Sequence, residues 1–204
     1  GCKNMVDSKD TIGRLGQIVE TSSTGFTVEC RELNGAPELG SLVRCDRDYG
    51  MVYGVVSGIT TESLDPSRRP VARDADAQSE DEVYANNPQL RLTLATRFET
   101  LVVGYRYDGE LHHYLSPLPP PVYGFVRQCD EEEIREFTES LESLAVLLNA
   151  SNVPQDDLVA AFLRMAGATR SEPQSFMVRA GKELAIHLIG QSPRLNGILR
   201  RLSR

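Results

Sequence analysis

Met51-Val52-Tyr53-Gly54-Val55-Val56-Ser57-Gly58-Ile59 decides the fold. The run is rich in β-branched and aromatic residues and reads as a strand, yet glycine interrupts it twice. Glycine inside a strand costs backbone entropy and packs poorly, so it belongs where a sheet bends or another backbone comes close. Gly13 and Gly16 fall in a similar apolar run, Gly13-Arg14-Leu15-Gly16-Gln17-Ile18-Val19. Repeated bends in short strands are what closing a small barrel requires. The expectation is a curved sheet that closes on itself.

Outward from that run, the flanking segments carry the period of two. Phe26, Val28 and Cys30 alternate with Thr27, Glu29 and Arg31, giving one apolar and one polar face. Ser22-Ser23-Thr24-Gly25 reads as a hairpin turn before them and Asn34-Gly35-Ala36-Pro37 as a turn after them, with Leu42-Val43-Arg44-Cys45 resuming the extended pattern. A polar insertion follows at 61–88. Asp65-Pro66-Ser67 opens it as a turn, and Ser79 with Glu82 predicts a capped short helix through Val83 and Tyr84 that ends before Pro88. An insertion of this length in a compact barrel is either functional or mobile.

Leu90 to Tyr107 reads as strand again, with Leu90, Leu92 and Leu94 in one phase and Leu101, Val103 and Tyr105 in the other. That flip predicts a bulge, bend or turn near residues 96–100. Asp108-Gly109 predicts a hairpin, with Leu111 to Leu115 as the return strand.

Pro117 and Pro119-Pro120-Pro121 mark a boundary, because proline has no N–H to donate to a ladder. Beyond Val126 the apolar period becomes 3.6. Asp130 with Glu133 predicts a capping box at the head of a helix carrying Ile134, Phe137, Leu141, Leu144, Val146, Leu147 and Leu148. A second helix opens at Pro154 and stops at Gly167, a third runs from Pro173 to Ile189 before Gly190, and a last short one carries Leu195, Ile198, Leu199 and Leu202. The fold class is α+β: a small closed β-barrel at 1–127, followed by a helical bundle of three to four helices at 128–204.

Composition narrows the function. The 204 residues are 40% hydrophobic and carry a formal net charge of −7, which disfavours broad binding to nucleic acid or anionic membrane. Cys2, Cys30, Cys45 and Cys129 lie too far apart in sequence for CxxC metal or redox motifs. The polar, charged amino terminus does not resemble a signal peptide, and the longest apolar run, Leu144 to Leu148, is far below the roughly 20 residues of a membrane span. The expected location is the cytoplasm, with the cysteines reduced and in the core.

Motifs with catalytic meaning are weak. The only Gly-Lys, Gly181-Lys182, precedes Glu183 inside a predicted helix, the wrong context for a phosphate-binding loop. His112 and His113 are neighbours, so a strand would point them to opposite faces, and His187 stands alone in a helix. Asp130 to Glu133 suits the positive end of a helix. No residue is nominated as catalytic, cofactor-binding or metal-binding, and no cofactor is expected. Two basic clusters stand out in an acidic chain: Arg68, Arg69 and Arg73 on the insertion, and Arg194, Arg200, Arg201 and Arg204 near the carboxyl terminus. Arg68, Arg69, Arg73, Arg194, Arg200 and Arg201 are the candidate anion- or partner-binding residues.

Together, the segments Ile12 to Val19, Phe26-Thr27-Val28-Glu29, Glu38 to Val43 and Val52 to Ile59 resemble the HerA/ATP-synthase barrel. This domain stands at the amino terminus of HerA-type DNA-translocating ATPases and of ATP synthase α and β subunits. The resemblance covers about the first 125 residues. It implies a non-catalytic collar that packs beside other barrels above a RecA-like motor; the helices after Asp130 match no ATPase motif, so neither hydrolysis nor translocation is implied.

The expected function is that of a non-enzymatic interaction or assembly module, self-associating or partnering a HerA-type ring ATPase through the barrel. The alternatives are a nucleic-acid-associated accessory factor using the arginine clusters, and a hydrolase with dispersed site residues.

Overall fold

The computed structural model describes residues 13–48 and 50–203. Seven antiparallel strands form one sheet: β1 (Arg14–Thr21), β2 (Gly25–Cys30), β3 (Leu42–Arg47), β4 (Gly50–Ser63), β5 (Leu94–Tyr107), β6 (Glu110–His112) and β7 (Phe125–Gln128). Their order is β2-β1-β7-β3-β4-β5-β6, and a further pairing of β2 with β5 closes six of them into a barrel, leaving β6 as a flap on β5. The strand that completes the ring, β7, comes after the proline cluster. The prolines therefore interrupt the barrel before its final strand.

The barrel is filled by side chains. Ile18, Phe26, Val28, Val43, Cys45, Val52, Val56, Phe98, Val102 and Val126 form its interior cluster. Gly54 is where the opening run gives way: a Cβ there would stand 3.0 Å from the Phe26 ring, so its absence lets that ring fill the middle of the barrel. Gly13, by contrast, lies in the turn before β1 and bends no strand.

Part of the barrel wall is buried on both sides. Leu42, Tyr53, Val55 and Val103 point outward into a second cluster with Phe137, Leu144, Leu158 and Phe162 from the helical half. The two phases of β5 have this origin. Phe98 and Val102 face in, Leu101 and Val103 face the helices, and the strand runs unbroken through residues 96–100. The bulges lie outside that span: Val103 is the extra residue on β5, and Ser57, opposite Glu99 and Thr100, is the extra one on β4.

Other differences from the sequence reading have local causes. Leu90 to Thr93 is not strand but a single helical turn, α2, after α1 (Glu80–Asn86). The alternating leucines mark no buried face, since Leu92 is 80% exposed. The predicted helix at 131–148 is two, α3 (Glu131–Phe137) and α4 (Leu144–Leu148). Thr138 Oγ donates back to the Ile134 carbonyl, and the Thr138 and Glu139 carbonyls are taken by the Arg179 guanidinium, so the chain turns without leaving them bare. With α5 (Gln155–Ala168), α6 (Pro173–His187) and α7 (Ser192–Leu202), five helices follow the last strand where three to four were expected. The Asp130–Glu133 capping box is present.

Helices and barrel meet through close contacts and charge pairs. Gly40, at φ +84, rests on α5, where a Cβ would lie 2.6 Å from the Phe162 backbone nitrogen. Arg106 on β5 holds Glu136 of α3 at 2.7 Å. Arg44 Nε on β3 stands 3.0 Å from Glu133, close enough for an ion pair though not aligned as a hydrogen bond.

Candidate functional site

The insertion occupies residues 64–93, where the sequence suggested 61–88, and grows from the far end of the β4–β5 ribbon, beyond the reach of β2 and β3. Polar side chains hold its root: Thr61 and Thr96 hydroxyls lie 2.8 Å apart, and the Asn34 backbone N–H donates to Thr96 Oγ. Asp65 opens the excursion by accepting from both the hydroxyl and the N–H of Ser67. Those bonds, with the hydroxyl the larger influence, hold its carboxyl below the usual range. Residues 64–76 are then exposed throughout and form no helix or strand. The segment returns to order where Asn87 donates to Asp74 at 2.6 Å and Ser79 caps α1 by accepting from the Glu82 N–H. Glu82 reaches back to Gln78, one residue short of a full capping box.

Between this segment, α1 and the ribbon lies an open cleft of about 830 Å3. Arg68, Arg69 and Arg73 line it together, with Asp65 and Glu80 as the acids and Leu64, Val71 and Leu92 as exposed apolar groups. Arg68 Nε is 3.5 Å from Asp65, with both side chains in solvent. Three of the six sequence-nominated arginines thus share one site.

The carboxyl-terminal arginines are arranged differently. Arg194 donates to Asp156, Gln155 and the Leu148 carbonyl, and Arg201 holds Asp157 at 2.7 Å. Both tie α7 to the acidic first turn of α5. Arg200 is exposed and donates to the Asn196 carbonyl of its own helix, and Arg204 lies outside the described residues. Proximity in sequence does not become one basic surface here.

His112 and His113 take separate partners. His113 Nε2 lies 2.8 Å from the Phe137 carbonyl, and His112 Nδ1 lies 3.1 Å from the Tyr114 hydroxyl. Of the cysteines, Cys45 and Cys129 are buried, Cys30 is only partly buried, and Cys2 lies outside the described residues. Burial pushes the Cys30 and Cys45 thiols up to about 11, with Glu29 and Asp46 adding in turn, and raises Cys129 further. All three are protonated at neutral pH and are poor nucleophiles. Among the described residues no group of three or more His, Cys, Asp or Glu side chains is placed to hold a metal ion, and no helix is long and apolar enough to cross a membrane.

A second feature was missed in the sequence. Tyr114, Leu115, Leu118, Val122, Tyr123 and Phe125 are all exposed on the connection that leads into β7. That connection is laced to β1: Thr21 Oγ donates to the Pro120 carbonyl, Tyr123 N–H donates to Ile18, and Ile18 N–H to Gly124. Arg14 lays its guanidinium 3.7 Å from the Phe125 ring centre. The available signal was apolar residues interleaved among prolines, where a plain linker would be polar.

No protein-family model matches the chain, and no curated protein matches it.

Proposed function

We propose that the chain is a non-catalytic interaction and assembly module, in which a barrel of the HerA/ATP-synthase kind, followed by a helical bundle, docks through its outer wall against itself or the barrel collar of a HerA-type ring ATPase. The closed six-stranded barrel with a filled interior supports this reading, because such a barrel offers its outside, not its lumen, to other molecules. The observation that carries it is the exposed pair Tyr123 and Phe125, which line one surface cavity with β1 residues Gly16, Gln17 and Val19 on the barrel's flank. Exposed aromatic side chains beside one strand favour burial against a partner.

A nucleic-acid accessory role has less support, since Arg194 and Arg201 have their charge matched by Asp156 and Asp157. Size-exclusion chromatography with light scattering tests the reading, on the chain alone and mixed with a purified HerA-type ATPase. An oligomer or a co-eluting complex is expected, lost on combining Leu118→Asp with Tyr123→Asp. A strict monomer that captures no ATPase would overturn it.

A further inference from the structure

We infer that the cleft of the 64–93 insertion is a docking site for an acidic, amphipathic protein segment, one that presents carboxylates beside apolar side chains. The cleft shares no lining residue with Tyr114 to Phe125, so this inference and the barrel-docking reading stand or fall separately.

The charge pattern is the first argument. The chain has 29 acidic and 22 basic residues, and five arginines outside the cleft make close ion pairs with carboxylates. Arg44, Arg97, Arg106, Arg194 and Arg201 each hold one at 2.7–2.9 Å. In the cleft the match fails. Arg68 has only the long pair with Asp65, and Arg69 and Arg73 have no ion pair among the described residues. The same segment carries Asp65, Asp74 and Asp76, but of these only Asp65 lines the cleft, which leaves its lining with three arginines against Asp65 and Glu80. Guanidinium groups suit carboxylates in particular, because their planar forks donate two parallel hydrogen bonds.

The apolar lining is the second argument. Leu64, Val71 and Leu92 are 49%, 68% and 80% exposed, and all three line the same cleft as the arginines. Val71 lies between Arg69 and Arg73 in sequence, so charge and apolar surface alternate at side-chain spacing. An occupant must answer both.

That mixture separates a protein from a nucleic acid. A phosphate backbone gains from an extended basic surface that releases counterions. Asp65 and Glu80 break such a surface here, and the chain as a whole is negative. Neither acid opposes a short segment whose carboxylates align with the three arginines and whose apolar groups cover Leu64, Val71 and Leu92. The insertion is also built for presentation: residues 64–76 bury nothing, yet both ends are pinned, by the Asp65 turn and the Asn87–Asp74 bond.

Fluorescence anisotropy on the full chain tests this with four labelled probes: a peptide in which leucines recur among glutamates, an all-glutamate peptide, a peptide with lysines replacing the glutamates, and a single-stranded DNA oligonucleotide. The Glu–Leu peptide is expected to bind best. Combining Arg69→Glu with Arg73→Glu should weaken it about tenfold or more, and Leu92→Ser should weaken it less while keeping the salt dependence. Circular dichroism melts unchanged in these variants exclude misfolding, since every altered side chain is exposed. No binding of the Glu–Leu peptide, equal binding by the double variant, an all-glutamate peptide that binds as well, or DNA that binds in its place would each overturn the inference.

Discussion

The β4–β5 ribbon is two different structures along one pair of strands. Its inner part, Val52 to Val56 against Thr100 to Tyr105, is covered on one face by the barrel interior and on the other by the helices. Its outer part, Thr60 to Ser63 against Leu94 to Arg97, mostly faces solvent on β4 and carries the arginine-lined insertion. The same hydrogen-bond ladder thus supports a shared core at one end and an exposed, arginine-lined cleft at the other. The contrast teaches that side-chain coverage, more than strand pairing, decides which stretch of a ladder becomes core.

Substitutions should separate the two ends by size of effect. Phe137 stands at the joint, its ring centre 5.0 Å from Tyr53 and 4.7 Å from His113. Phe137→Ala should cost about 3–5 kcal/mol in urea unfolding, with barrel and helices still melting together. A variant whose helices melt first, leaving an intact barrel, would break the comparison. Gly40→Ala should cost roughly 2–4 kcal/mol, because the positive φ and the Phe162 backbone nitrogen both oppose a Cβ.

The interior also sets a pH dependence. Below pH 9 folded and unfolded chains both keep the Cys45 proton. Between the ordinary thiol value of 9.0 and about 11, only the unfolded chain releases it, so stability falls as pH rises. The loss for this thiol approaches about 1.4 kcal/mol per pH unit at its steepest. Cys45→Ala should therefore show a shallower decline in denaturation midpoint over that window; an unchanged slope would place the titration elsewhere. Smallest of all, Val71→Ser and Arg73→Ala should each stay within about 0.5 kcal/mol of the parent. A larger loss would mean that the insertion holds the fold together.

Legibility in the sequence followed the same division. The inner ribbon reads as a strand because both of its faces are apolar, and glycine placement gives the closed barrel away. That double coverage also explains the misjudged phase of β5, since a strand buried on both faces carries no simple alternation. Leu90 to Leu94 misled for the opposite reason: leucines spaced by two fit a strand, but a single turn after Pro88 exposes Leu92. The break at Thr138 depends on Arg179, 41 residues away in sequence, and no local pattern encodes it. Of the nominated arginines, Arg68, Arg69 and Arg73 are neighbours in sequence and line one cleft in the structure. At the carboxyl terminus it could not foretell that Asp156 and Asp157 would take Arg194 and Arg201, because that pairing depends on how α5 packs against α7.

Native-state hydrogen exchange read by mass spectrometry tests the shared core most directly. Amides of Val52 to Val56 and of Leu158 to Leu163 should open with one common free energy, equal to that of global unfolding, while Arg68 to Arg73 exchange almost without protection. An α5 that opens well below the free energy of β4, with β4 still protected, would contradict the account.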